Sequence, residues 1–229
     1  MTLRVPKVLL FDAGNTLVFL DHDALAAAAS EVTGDLGGDA LRRAEPLAKK
    51  SYEAALARGM SHEEGWFLLI RTIFESAGVA SADAVEAARL ARVAHDAFNL
   101  WRKVPAELPA ALTRGRKAGL RYGIVSNSEG RLNELLDRVG LLPFFELVVD
   151  SALEGVRKPD PVIFARALTR MQANAAETMY AGDIPNVDVD GARAAGLSAV
   201  LIDTLDHYPE YMGAPRFPSV AALIAELCP

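Results

Sequence analysis

VLLFDAGNTL, residues 8–17, is the stretch that decides the fold. Four apolar residues, Val8 to Phe11, run unbroken into Asp12 and then into Gly14, Asn15 and Thr16. A short apolar run that stops at turn formers reads as a strand buried on both faces giving way to a loop. Strands covered on both faces belong to parallel sheets. Other segments of this kind are therefore expected along the chain, alternating with helices.

Downstream of residue 103 they recur. Arg121–Val125, Phe145–Val149, Thr178–Ala181 and Ser198–Ile202 read as strands. Between them lie amphipathic segments: Ala106–Lys117, stopped at Gly119; one carrying Leu132, Leu135, Leu136 and Val139; one carrying Ile163, Phe164, Ala167, Leu168 and Met171; and one ending at Gly196. A last helix is expected near Val220–Leu227, after an irregular, proline-containing loop from Tyr208 to Phe217. Strand–helix alternation means a parallel sheet with helices on both faces. The stretch from about Asp21 to Trp101 is different. It is Ala-rich and shows helical periodicity, with Trp66, Leu69, Ile70, Ile73 and Phe74 on one face. Leu90, Val93, Ala94, Ala97, Phe98 and Trp101 form a second predicted face. Gly37-Gly38, Gly59 and Gly78 punctuate it into about four helices. The expected fold class is α/β: a Rossmann-like, doubly wound parallel sheet core, residues 1–19 and 103–229, with an inserted all-helical cap domain, residues 20–102.

Composition narrows the function. The chain has 229 residues, 51% hydrophobic and 24% charged, which is ample for a core and argues against wholesale disorder. Lys plus Arg number 24 against 30 Asp plus Glu, a net charge of −6, so no nucleic-acid partner is expected. No apolar run is long enough to span a membrane, and Asp12 interrupts the one N-terminal stretch that resembles a signal peptide. The single cysteine, Cys228, cannot form an internal disulfide, which fits a reducing compartment. A soluble cytoplasmic protein, with no membrane partner, is the expectation.

In an open parallel sheet, ligands collect beyond the carboxyl ends of the strands. The residues found there are Asp12 and Gly14 after the first strand, and Ser126 and Asn127 after the second. Lys158 lies in the loop after the third, and Asp183 and Asp188 follow the fourth. Crowded carboxylates resist ionising together, and a divalent cation removes that penalty. Oxygen ligation with few protein carboxylates suits Mg²⁺, which bridges to substrate phosphate. Ser126 and Asn127 then offer donors for phosphoryl oxygens, and Lys158 a point charge. A carboxylate can itself attack phosphorus and form an aspartyl-phosphate.

FDAGNTL, IVSNS, RKPDP and AGDIPNVDVDGARAAG, in this order and each at a predicted strand end, resemble the four motifs of the haloacid dehalogenase-like hydrolase superfamily. The helical insertion after the first motif is similar to the cap of its subfamily I. The resemblance implies a Mg²⁺-dependent phosphatase acting on a small phosphorylated metabolite. Asp12 would be the nucleophile, Ser126 and Asn127 would bind the phosphoryl group, and Lys158 would neutralise nucleophile and intermediate. Asp12, Asp183, Asp188 and the carbonyl of Gly14 would hold the metal, and Thr16 would be the conformational threonine.

One position departs from the family pattern. Two residues after the nucleophile its phosphatases usually carry an aspartate that acts as general acid and base; here that residue is Gly14. Three explanations stay open. The substrate has a leaving group that needs no proton; or Asp21, His22 or Asp23 of the cap supplies one; or the protein is a slow enzyme that mainly binds phospho-ligands or a partner. Haloacid dehalogenases also lack that aspartate and need a cap arginine, for which Arg42 or Arg43 is available, but they use no metal, unlike the pattern Gly182-Asp183 with Asp188. Phosphonatases need a cap lysine, such as Lys49 or Lys50, without a supporting pattern here. The ion-pumping ATPases need domains this chain lacks.

Overall fold

The computed structural model describes residues 4–229. In chain order the elements are β1 (Val8–Phe11), β2 (Phe19–Leu20), α1 (His22–Thr33), α2 (Gly38–Ala57), α3 (His62–Ser76), α4 (Ser81–Ala97) and β3 (Trp101–Lys103). There follow α5 (Leu108–Lys117), β4 (Arg121–Ser126), α6 (Leu132–Arg138), β5 (Leu147–Asp150), α7 (Ser151–Glu154) and α8 (Pro161–Met171). The chain ends with β6 (Thr178–Gly182), α9 (Asp190–Ala194), β7 (Ser198–Ile202), β8 (Arg216–Phe217) and α10 (Val220–Leu227). It divides into two compact units: the chain up to Phe19 together with Lys103–Pro229, and Leu20–Arg102. Where the chain leaves and re-enters the first unit, β2 and β3 form a two-stranded sheet.

The first unit is built on a six-stranded sheet in the order β5-β4-β1-β6-β7-β8, with every pairing parallel. β1 is central: Val8 registers with Arg121 on one side and Thr178 on the other. All four residues of β1 are buried, as a strand covered on both faces requires. Its side chains alternate between two cores. Val8 and Leu10 join Ile163, Phe164 and Ala167 of α8. Phe11 meets Tyr122 and Phe145 edge-on. Tyr122 reaches α5 by donating from its hydroxyl to the Leu112 carbonyl at 3.2 Å. The short β8, parallel to β7, falls inside the segment expected to be an irregular loop. Two residues are too few for an alternating pattern to show.

The second unit is four helices around one core that includes Leu25, Leu41, Ile70, Ile73 and Phe74. α3 begins with a capping box: the Ser61 hydroxyl accepts from the Glu64 N–H and Glu64 accepts from the Ser61 N–H. The face predicted for α3 is the buried one. The face predicted for α4 is not. Val93 is 69% exposed, and the helix instead buries Ala84, Ala87, Ala88, Ala91 and His95. An alanine stripe lets the helix axes approach closely, so small residues take the interior and the larger Val93 is left outside.

Candidate active site

The strand order reverses direction at β1: the chain builds outward through β4 and β5, then returns to place β6 on the other side. Asp12, Ser126 and Asp183 therefore leave neighbouring strands at one edge of the sheet, at a topological switch point. Asp12, Asp183 and Asp188 each bring a carboxylate oxygen within 4.8 Å of the other two, and all three residues are buried.

Lys158 organises this cluster. Its buried ammonium donates to Asp12 Oδ1 at 2.6 Å, Asp188 Oδ1 at 2.7 Å and the Tyr180 hydroxyl oxygen at 2.7 Å. All three N–H donors are thus committed. Burial alone would lower the lysine pKa, but Asp12 and Asp188 outweigh it and hold the group above its ordinary value. The Asp12 carboxyl is also pushed up, to about 6. Burial is the main cause, opposed by Lys158 and reinforced by the charges of Asp188 and Asp183.

Asp188 is fixed at both oxygens. While Oδ1 takes the lysine, Oδ2 accepts the backbone N–H groups of Asp183 and Ile184 at 2.9 and 2.8 Å. The carboxylate is delivered by a π-helical turn, Pro185–Val189, and rests against Gly182. A Cβ at position 182 would lie 2.4 Å from Asp188 Cγ, so only glycine permits this approach.

The Asn127 side chain clamps the loop that carries the lysine: its Oδ1 accepts from the Lys158 N–H at 2.8 Å and its Nδ2 donates to the Lys158 carbonyl at 3.0 Å. Ser126, the last residue of β4, is buried beside the same edge. Thr16 is buried, and its hydroxyl makes no hydrogen bond among the described residues. The loop after Asp12 is closed by Asn15 N–H to Val18 O and Val18 N–H to Ala13 O, at 2.8 and 3.0 Å. These bonds bracket Gly14 without using its carbonyl.

Two further residues were missed by sequence reasoning. Tyr180 is wholly buried in β6; its hydroxyl accepts from Lys158 and donates to the Val125 carbonyl at 2.7 Å. The only signal for it was a polar-tipped residue in an otherwise apolar strand. Asp150, at the end of β5, accepts from the N–H groups of Gly130, Leu132 and Ala152 and so ties down the loop after β4. An acid at a strand end was the available clue.

The residues considered in the helical unit are engaged within it. Asp21 caps α1 by accepting from the Ala24 N–H and also accepts from Arg102 Nε at 3.0 Å. His22 Nε2 lies 2.9 Å from Glu45 Oε2 in a buried pair. Asp23, Arg42, Arg43 and Lys50 are exposed, with Arg42 beside Asp39; Lys49 is buried near Glu53.

Sheet topology and the charged groups gathered at its switch point define a Rossmann-like α/β fold with an acidic site at the carboxyl edge of its sheet. The sequence profile of the haloacid dehalogenase-like hydrolases matches residues 6–196, and the chain belongs to that family. It is 33% identical over 208 residues to haloacid dehalogenase-like hydrolase domain-containing protein 3 of Bos taurus, covering 86% of this chain and 81% of the relative. Phosphoserine phosphatase of Thermus thermophilus is 34% identical over 168 residues, 70% of this chain and 67% of that protein. Glyceraldehyde 3-phosphate phosphatase of Methanopyrus kandleri is 29% identical, covering 86% and 83%. Among solved structures, the magnesium-bound HAD-hydrolase YfnB of Bacillus subtilis shares the fold with a TM-score of 0.68 at 21% identity, over 98% of this chain and 99% of that one. Among the described residues no helix is long and apolar enough to cross a membrane.

Proposed function

We propose that the protein is a Mg²⁺-dependent cytoplasmic phosphatase of a small phosphorylated metabolite, with Asp12 as the nucleophile. One observation carries this reading: three buried carboxylates lie within 4.8 Å of one another, and a single lysine bonds two of them. One ammonium cannot balance three carboxylates in a buried site; the Asp12 carboxyl is raised first by burial and further by the charges of Asp188 and Asp183. A hard divalent cation fits this oxygen-only donor set. Asp12, Asp183 and the Gly14 carbonyl would hold it directly. Asp188, whose oxygens already serve Lys158 and two backbone N–H groups, would serve it indirectly. Bound magnesium supplies positive charge to the carboxylates and to phosphoryl oxygens.

The chain's own groups then divide the work. An Asp12 oxygen attacks phosphorus, and Lys158, already on Asp12, stays charged while negative charge gathers on the equatorial oxygens. Ser126 donates its hydroxyl to one of those oxygens. Asn127 keeps Lys158 in place from behind, and water then releases phosphate from Asp12. The helical unit acts as a cap that selects the substrate and excludes water during the first step.

The test is phosphate release from 4-nitrophenyl phosphate or acetyl phosphate with added Mg²⁺. Turnover that is abolished by chelation and by Asp12→Asn supports the reading. Equal turnover with and without chelator, or halide release from a 2-haloacid in chelator, refutes it and favours a metal-independent dehalogenase.

A further inference from the structure

Transfer of a phosphoryl group to Asp12 forms an Asp12 O–P bond and breaks the bond from phosphorus to the leaving oxygen, which keeps the electron pair. If that oxygen belongs to an alcohol, it needs a proton as it departs, and a positioned acid contributes about 10²–10⁴-fold to the rate. The described groups around Asp12 can each be asked for that proton. Lys158 has all three N–H groups engaged, on Asp12, Asp188 and the Tyr180 hydroxyl oxygen. The Tyr180 O–H is given to the Val125 carbonyl. Asp188 has both oxygens taken up by Lys158 and by the Asp183 and Ile184 N–H groups. Asp183 is the residue assigned above to the cation. The hydroxyls of Ser126 and Thr16 are no stronger acids than the alcohol they would have to protonate. Position 14 has no side chain. In the helical unit, Asp21 is committed at both oxygens, His22 is paired with Glu45, and Asp23 is exposed to solvent in the first turn of α1.

We infer that the site acts on phosphates whose leaving group departs as a stable anion, namely acyl and aryl phosphates, and turns over phosphates of simple alcohols poorly. The inference rests on the phosphatase reading above and narrows it to a substrate class. The electron pair leaves on a carboxylate or phenolate. Water then attacks phosphorus, the Asp12 O–P bond breaks, inorganic phosphate departs, and the proton of the attacking water passes to solvent.

The experiment measures kcat/KM, which reports the first chemical step, for acetyl phosphate and a series of substituted phenyl phosphates of similar size whose phenols are progressively weaker acids. The expected result is a steep fall along the series. Gly14→Asp is expected to raise kcat/KM for the weakest-acid members, taken relative to acetyl phosphate in the same variant, by about 100-fold or more. A shallow series in the unaltered protein overturns the inference. So does a shallow series that turns steep in His22→Asn, because the acid would then come from the helical unit. The series in the unaltered protein decides even if Gly14→Asp does not fold. Absence of turnover on every member, acetyl phosphate included, defeats the phosphatase reading itself.

Discussion

Asp12→Asn is expected to make the metal-free protein more stable. The Asp12 carboxyl titrates at about 6 in the folded chain against the ordinary 3.8, so its charged form is disfavoured by folding. At about 1.4 kcal/mol per pH unit that difference amounts to roughly 3 kcal/mol. Below the unfolded value both states carry the proton and the site imposes no penalty. Between 3.8 and about 6 the folded state binds more protons than the unfolded one, so stability falls as pH rises. Above about 6 the penalty is complete. Asparagine keeps an oxygen for Lys158 but loses part of that attraction, so the net gain at pH 8 is about 1–3 kcal/mol. For a chain of this length that is a rise in Tm of about 3–10 °C. Urea denaturation of both proteins in chelator at pH 8 and near pH 4 measures it. The reasoning is refuted if the variant is the less stable at pH 8, or if the difference between the two is the same at both pH values. Magnesium titrated at pH 8 is expected to raise the Tm of the unaltered protein more than that of the variant.

Gly182→Ala forces a methyl group to within 2.4 Å of Asp188 Cγ, and relieving it displaces the carboxylate that holds both Lys158 and the Asp183–Ile184 backbone. Thermal unfolding is expected to show a loss of about 2–4 kcal/mol, and turnover is expected to fall with it; an unchanged Tm would contradict the packing described. Tyr180→Phe leaves the Val125 carbonyl and one lysine N–H without their partner at full burial. It is expected to lower kcat by about tenfold or more with KM little changed, since the hydroxyl positions Lys158 and does not touch substrate; a rise in KM alone would argue against that role.

The apolar strands of the first unit could be read from the chain because they are short, unbroken and bounded by turn residues, as Val8–Phe11 and Ser198–Ile202 are. Asp12 and Asp183 could be nominated because each stands just beyond such a strand, and Lys158 and Asp188 because they lie in the segments that follow one; the structure brings all four together. What a side chain does once there was less accessible. Nothing in the order of residues distinguishes an asparagine that faces a ligand from one that clamps the backbone 31 residues on, as Asn127 does. Tyr180 matters through a contact made in the folded state alone. The α4 face was misjudged because size was weighed above the alanine stripe that the helix actually buries.

The central position of β1 has a consequence for biosynthesis. This strand emerges from the ribosome well before either neighbour: its register partners are Arg121–Ile124 and Thr178–Ala181, and the whole helical unit is translated in between. At about 5–20 residues per second, the sticky Val8–Phe11 segment waits roughly 10–30 seconds for its second flank. The four-helix unit, a compact unit formed by the continuous stretch Leu20–Arg102, can mature during that delay. Nascent chains halted before residue 178 would then carry a finished helical unit beside an unprotected strand, the state in which a holding chaperone has most to offer.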